Sequence, residues 1–211
     1  MFLFILLLGL GSALKAPDAA FWRSAPEFWV FPLQTLLCAA LLAYFRRDYD
    51  LGPVGRPLFT VLLALGVFGL WIAPQQFLHF APRLIGFNPD LLSATPAFYW
   101  ITLSLRFVRL VLVVPLVEEI FWRGFLLRYL IAERFETVPF GTFSWLSFAA
   151  VTTAFCFSHS RPDWPAALAT AALYNLVAYR TRSLASCVLA HALTNLALGA
   201  WIMMSKQWGF W

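Results

Sequence analysis

Long uninterrupted apolar runs limit the possible folds of this chain more than any other feature. These runs cover residues 1–14, 27–45, 57–73, 98–132, 143–160, 164–179 and 184–204. Several approach the roughly 20 residues that an α-helix needs to cross the hydrocarbon core of a bilayer. The chain is 62% hydrophobic and 12% charged, whereas a typical soluble domain contains about 25% charged residues. The sequence therefore predicts an integral membrane protein.

The apolar runs predict helices rather than strands. Only α-helices and closed β-barrels satisfy every backbone hydrogen bond within lipid, and these runs lack the alternating pattern of barrel strands. The segments between them carry the Gly, Pro and charged residues of turns, as in RRDYDLGPVGRP at 46–57. We therefore expect an all-α, polytopic transmembrane bundle of about seven to eight helices.

The charge pattern indicates contact with lipid headgroups. The net charge is +5, and the arginines are scattered between apolar runs without forming a basic face. Interface anchoring and anionic headgroups account for such residues, so membrane lipid is an expected partner and nucleic acid is not. The short loops and compact length favour the bacterial inner (plasma) membrane. The arginines are divided evenly between the two sides of the predicted bundle, so they do not predict its orientation in the membrane. The sequence also leaves the oligomeric state open.

The run at 98–132 is too long for one simple span, because at 1.5 Å per residue it exceeds about 50 Å. Arg106 and Arg109 predict that its first part lies at a membrane interface, and Pro115 is a position for a bend. We therefore expect the spanning part near 110–132.

The stretch VEEIFWRGFLLR at 117–128 places four charged residues inside that predicted span, and three of them, Glu118, Glu119 and Arg123, lie close to its middle. A charge at the bilayer centre costs about 2.5–3.5 kcal/mol, so such residues usually face a bundle interior or a wet cavity. Glu119 and Arg123 are four residues apart and can pair on one helix face. Glu118 is rotated by about 100° from Glu119 and has no local partner, a setting typical of a general base or acid. A purely structural ion cluster is the other interpretation.

Two of the three histidines also lie within apolar runs. His159 follows Phe155 by four residues, and His191 precedes Asn195 by four, so each pair shares a helix face. A lone histidine in an apolar helix is usually a core residue. Two of them, together with an amide and a Glu pair, favour a polar site.

The spacing of two runs places Glu118 and His159 at the same depth. If 110–132 and 143–160 form an antiparallel hairpin with a turn at 133–142, the midpoint of the two residue numbers falls inside that turn. We therefore expect the acid, both imidazoles and the amide to converge on one pocket, with helix tilt or a break absorbing part of the offset of His191.

The ordered set E118-E119-x-x-x-R123, F155-x-x-x-H159 and H191-x-x-x-N195 resembles the three motifs of the CPBP (Abi, type II CAAX prenyl protease) family of intramembrane proteases. The resemblance covers about residues 98–204. It implies motif-free N-terminal membrane helices at 1–97 and a catalytic helical core at 98–204, within one integral membrane domain.

The resemblance implies a glutamic endopeptidase that cleaves near the C-terminus of a membrane-associated or lipidated peptide or protein. On the family pattern Glu118 is the general base that activates water, and His159 helps to bind that water. His191 and Asn195 stabilise the oxyanion. The residues implied to support the site are Glu119, Arg123 and Phe155.

Two alternatives stay open. We expect no cofactor, but two histidines and one glutamate are sufficient ligands for a catalytic zinc. The usual signature, two histidines four residues apart with a glutamate between them, is absent. The same polar cluster also fits a non-catalytic membrane protein, such as a scaffold, a transporter or a bacteriocin-immunity protein.

Overall fold

The computed structural model describes residues 1–16 and 18–211, and in these residues the chain forms eight α-helices, several short 3₁₀ turns and no strand. The helices are α1 Phe2–Leu14, α2 Phe21–Ser24, α3 Glu27–Tyr44, α4 Pro57–Gln76, α5 Pro96–Tyr129, α6 Trp145–Phe157, α7 Trp164–Thr181 and α8 Leu184–Ser205. The all-α class and the expected number of helices are confirmed.

Four helices in the described part of the chain are long and apolar enough to cross a membrane, namely α3, α4, α5 and α8. The apolar helices α1 and α6 are shorter, with 13 residues each. Large apolar side chains such as Leu36, Leu58 and Leu62 remain exposed on the outside of the bundle. A surface of this kind is stable against lipid rather than water, so the chain is an integral membrane protein.

The long run at 98–132 forms one continuous helix that passes through Pro115, and a bend at that residue stays a prediction. Helix α5 has 34 residues and includes two π-helical segments, Arg109–Val113 and Ile120–Leu126. A π segment contains an extra residue per turn and is a common way for a helix to continue through an irregularity. Here the first π segment ends directly before Val114 and Pro115.

Arg106 and Arg109 are buried within the bundle, and their expected place at a membrane interface stays a prediction. Their exposed fractions are 2% and 7%. The Arg106 guanidinium lies 4.4 Å from the centre of the Phe31 ring, and that of Arg109 lies 4.6 Å from the same ring. Aromatic faces attract guanidinium groups, and this attraction compensates part of the loss of hydration.

Helix α7 joins three other helices of the bundle. Its small residues Ala167, Ala171 and Ala178 are fully buried, and small side chains allow close approach of membrane helices. It packs against α4, α6 and α8, while α4 also packs extensively against α8. The predicted N-terminal and catalytic parts therefore share one core, and the division between 97 and 98 stays a prediction.

Three segments meet over one end of the bundle: the α4–α5 link, the α6–α7 link and the C-terminal residues after α8. The Arg83 N–H donates to Gln207 Oε1 at 3.1 Å, and the Gly209 N–H donates to the Arg83 carbonyl at 2.9 Å. A Cβ at Gly209 would lie 2.9 Å from the Arg83 Cβ, so this close approach requires glycine. We call these three segments the cover, residues 77–95, 158–163 and 206–211.

Candidate active site

A cavity of about 210 Å³ lies beneath the cover, between α5, α7 and α8. Its lining includes Glu118, His159, His191 and Asn195. At roughly 30 Å³ per water molecule, the cavity has room for several waters. The structure thus brings the four predicted side chains to one cavity, while the roles assigned to them stay predictions.

Glu119 and Arg123 form a fully buried ion pair, with Arg123 Nη1 donating to Glu119 Oε1 at 3.0 Å. The same guanidinium reaches α7, where Nε donates to Asn175 Oδ1 at 3.1 Å and Nη2 donates to the Ala171 carbonyl at 3.2 Å. Asn175 Nδ2 in turn donates to Thr152 Oγ1 at 3.1 Å. A buried charge needs such partners to offset its lost hydration. Arg123 therefore joins α5 to α7 and, through Asn175, to α6.

His191 is held by the same glutamate. Its Nδ1 lies 2.8 Å from Glu119 Oε1. Because an ionised carboxylate oxygen only accepts hydrogen bonds, Nδ1 carries the proton and donates. The ring of Tyr174 supports the imidazole at a centroid distance of 5.3 Å. Glu119 therefore fixes the tautomer of His191 and leaves its Nε2 for the cavity.

His159 lies just beyond α6 rather than deep inside a helix, so the expected helical position is wrong. The helix ends at Phe157, and the Ser158 hydroxyl donates to the Phe155 carbonyl at 2.7 Å. His159 Nδ1 lies 2.9 Å from the same carbonyl. A carbonyl oxygen has no proton to give, so Nδ1 is the donor and Nε2 is an acceptor. The Phe155 and Trp71 rings pack beside the imidazole at 4.7 and 5.8 Å.

Asn195 is positioned by an irregularity in α5. The Val114 N–H bonds to the Arg109 carbonyl five residues before it. In that register the Leu110 carbonyl would accept from residue 115, but Pro115 has no N–H. Asn195 Nδ2 donates to this Leu110 carbonyl at 2.9 Å. The amide therefore satisfies a carbonyl that the π segment and the proline leave without a helical partner, and its second N–H stays available.

Glu118 is partly exposed to the cavity and makes no ion pair within 4.0 Å in the described residues. Arg109, about nine residues earlier on the same helix, is a cation that attracts it from a longer range. The sequence did not indicate this interaction, because residues nine apart are not neighbours on an ideal helix surface. The Glu118 carboxylate is thus attracted by the distant Arg109 guanidinium but is not in contact with any cation of the described residues.

Several residues that belong to none of the three motifs also line the cavity. Trp71 Nε1 donates to Thr170 Oγ1 at 2.9 Å, and both residues line the cavity. Asp163 also lines the cavity and pairs with Arg83 at 2.6 Å. The proline-containing segment SRPDWP at 160–165 directly follows His159, and this proximity in sequence could have indicated that Asp163 lies near the site. Helix α4 carries no motif, so nothing in the sequence indicated Trp71.

In the described ranges, 1–16 and 18–211, no group of three His, Cys, Asp or Glu side chains is arranged to hold a metal ion. The zinc alternative would need Glu118, His159 and His191 to approach one another as ligands. A measurement with a chelator separates that alternative from metal-free chemistry.

Comparison with known proteins gives one finding. Residues 99–197 match a family model described as Rce1-like, type II CAAX prenyl endopeptidase Rce1-like. No curated protein and no solved structure gives a significant match. The matched segment contains all three motifs and every one of the four residues at the cavity. Over residues 99–197 the chain is therefore similar to the Rce1-like, type II CAAX prenyl endopeptidase family.

Proposed function

We propose that this protein is an intramembrane endopeptidase that uses Glu118 to activate water and cleaves near the C-terminus of a membrane-associated or lipidated substrate. The family match supports a peptidase. The observation that carries the finer proposal is the common cavity of Glu118, His159, His191 and Asn195. We also propose the bacterial inner membrane as its location, because the loops are short.

Glu118 and His159 are suited to hold one water molecule between them. The carboxylate accepts a hydrogen bond from one O–H of that water, and His159 Nε2, the free acceptor of its ring, accepts a hydrogen bond from the other. The oxygen lone pair then points away from both and toward a substrate carbonyl. Glu118 removes a proton as the water attacks and delivers it to the leaving amine. A positioned base of this kind contributes about 10²–10⁴-fold to the rate.

Asn195 and His191 supply donors for the oxyanion. One N–H of Asn195 is bound to the Leu110 carbonyl, and the other can donate to the developing negative charge. When His191 carries a proton on each ring nitrogen, its Nε2 donates as well, and the Glu119 carboxylate balances the imidazolium. One such donor contributes about 2.7–4 kcal/mol in enzymes where it has been removed.

Cleavage of a quenched-fluorescent peptide library, with and without lipidated members, tests the base. We expect Glu118→Gln to lower the rate by about 10²–10⁴-fold and to leave thermal unfolding in detergent unchanged. His159→Ala should act in the same direction. Glu133→Gln, at an exposed glutamate after α5, is the matched control. Full activity in Glu118→Gln would refute the assignment, and a folded protein that cleaves no library member would favour the scaffold alternative.

A chelator separates the two mechanisms. Cleavage that persists in EDTA supports water activated by glutamate alone. Cleavage that is lost in EDTA and restored by Zn²⁺ would instead assign Glu118 and the histidines as metal ligands, and the metal-free mechanism would be wrong.

A further inference from the structure

A second cavity, of about 530 Å³, lies between α1 and α3 near the end of the bundle that the cover occupies. Residues of both helices line it, including Leu8, Gly11 and Val30, with Lys15 and Glu27 at its rim. None of the four residues assigned to catalysis belongs to its lining. It is therefore a separate feature of the molecule.

The Arg106 guanidinium lies directly behind the wall of this cavity. It contacts the rings of Phe31, Phe87 and Trp211, whose centres are 4.4, 5.2 and 5.1 Å away. All three rings line the cavity. Arg106 is 2% exposed, and its Nε and Nη1 have no hydrogen-bond partner. A buried cation with unsatisfied donors thus faces an aromatic wall and, behind it, open space.

Arg109 adds a second buried cation one turn further along α5. Its Nε donates to Gln34 Oε1 at 2.6 Å. The other end of that amide is fixed, because Gln34 Nε2 donates to the Phe4 carbonyl at 2.6 Å. The arginine is therefore held by α3 and α1, the two helices that form the cavity.

The charges around this cavity do not cancel. Lys15 and Glu27 pair with each other at 3.4 Å. No carboxylate oxygen of the described residues lies within 4.0 Å of Arg106 or Arg109, which leaves two positive charges. Glu118 attracts Arg109 only from a distance. Buried charges without a close counter-charge are unfavourable, so an anion that binds in the cavity would stabilise this part of the bundle.

We propose that this cavity binds the phosphate group of an anionic membrane lipid, with Arg106 and Arg109 as its charge partners. A phosphate group between apolar and aromatic walls would be screened little from the guanidiniums. Neither guanidinium is among the lining residues, so each acts on the phosphate as a charge across the aromatic wall and not through a hydrogen bond. Basic pockets between membrane helices are known binding places for acidic headgroups.

The position of the cavity favours a lipid over a soluble anion or a peptide. Phe31, which contacts both arginines, lies one turn inside α3 from Glu27, the first residue of that helix. That depth corresponds to the boundary between headgroups and hydrocarbon. The outward side chains of α1 and α3, such as Leu6 and Leu37, are apolar and exposed and can contact acyl chains.

Thermal unfolding and native mass spectrometry test the proposal without any substrate, so its outcome does not depend on the proposed peptidase activity. Purified protein receives phosphatidylglycerol, phosphatidylcholine or inorganic phosphate. Only phosphatidylglycerol should raise the melting temperature of the wild type, because a ligand stabilises the state that it binds. Arg106→Gln should weaken that lipid about tenfold or more. Arg23→Gln, at an exposed arginine between α1 and α3, should bind like the wild type.

Gly11→Leu tests the same cavity without changing any charge. A Cβ at Gly11 meets only ordinary contacts with the Val30 side chain, at 3.4–3.7 Å, so the longer side chain would occupy the cavity rather than strain the backbone. This variant should also lose the stabilisation, and it carries the test if Arg106→Gln does not fold. An unchanged lipid effect in Gly11→Leu would overturn the proposal. So would an equal effect of inorganic phosphate, or preferential binding of a peptide with a free C-terminal carboxylate.

Discussion

Glu119 is the residue on which the polar centre of the bundle depends. A single oxygen, Oε1, accepts hydrogen bonds from Arg123 Nη1 and from His191 Nδ1. Through Arg123 the carboxylate is linked to Asn175 on α7. Through His191 it sets the orientation of an imidazole on α8. Its contribution is therefore both structural and, on the proposed mechanism, a positioning of the oxyanion donor.

Substitution of Arg123 should show how strongly the stability of the bundle depends on a paired Glu119. Arg123→Met leaves Glu119 buried without its cation, and breaking a buried ion pair in this way destabilises proteins by about 3–5 kcal/mol. We expect Glu119→Gln in the same chain to recover part of that loss, because it removes the stranded charge. The free energy of unfolding in mixed micelles, measured for the single and double variants, checks both statements.

An exposed pair gives the control for that measurement. Lys206→Met breaks the ion pair with Asp90, whose side chains are 52% and 44% exposed, and should change stability by about 1 kcal/mol or less. A double variant no more stable than Arg123→Met alone would show that the charge of Glu119 is not the source of the loss.

The sequence predicted the Glu119–Arg123 pair because both residues lie on one helix, where spacing alone fixes the geometry. It did not predict the bonds to Asn175 and His191. Those depend on how far each helix is shifted along its neighbour and on its rotation, which follow from the packing of small residues in α7. The pattern of hydrophobic residues does not determine how the small residues of α7 pack against the neighbouring helices.

At the scale of elements, α5 is shaped by its two π segments, which lie on either side of the turn that carries Glu118 and Glu119. Each widened turn changes the direction of the side chains that follow it, compared with an ideal α-helix. The first segment also leaves the Leu110 carbonyl without a helical partner, so that this carbonyl accepts a hydrogen bond from Asn195. The irregular backbone of α5 and the amide on α8 are thus parts of one arrangement.

This coupling predicts non-additive effects of two substitutions. Asn195→Leu should destabilise the protein by about 0.5–1.5 kcal/mol, because the Leu110 carbonyl loses its partner. Pro115→Ala restores an N–H to residue 115, which can then bond within the helix. The loss from Asn195→Leu should therefore be smaller in the Pro115→Ala background. A double-mutant cycle on unfolding free energies measures the difference, and strictly additive effects would contradict the coupling.

Hydropathy predicted which segments enter the bundle but not where each helix ends. The apolar run at 143–160 includes His159, yet α6 ends at Phe157 because the Ser158 side chain bonds back to the Phe155 carbonyl. Likewise, the run at 98–132 gave no sign that α5 continues through Pro115. Apolarity reports burial, whereas helix ends and π segments depend on local hydrogen bonds.

At the scale of the whole molecule, the cover connects the N-terminal half of the chain to the proposed active site. Arg83 follows α4, pairs with Asp163 at 2.6 Å, and both residues line the cavity that contains Glu118. The side chains are only 17% and 16% exposed, so solvent screens this pair less than the more exposed pair of Lys206 and Asp90. The motif-free part of the chain thus supplies part of the roof of the cavity.

Release of this pair should loosen the cover without unfolding the bundle. Asp163→Asn removes the charge that holds Arg83, and we expect several-fold faster amide hydrogen exchange in residues 77–95, 158–163 and 206–211, because local opening requires less free energy. Exchange in α7 and α8 should stay unchanged. Lys15→Gln, which breaks the ion pair with Glu27 outside the cover, is the matched control. Exchanging the charges, with Arg83→Asp and Asp163→Arg together, should restore slow exchange. Equal exchange in Asp163→Asn and the wild type would mean that backbone bonds such as Gly209 N–H to the Arg83 carbonyl hold the cover alone.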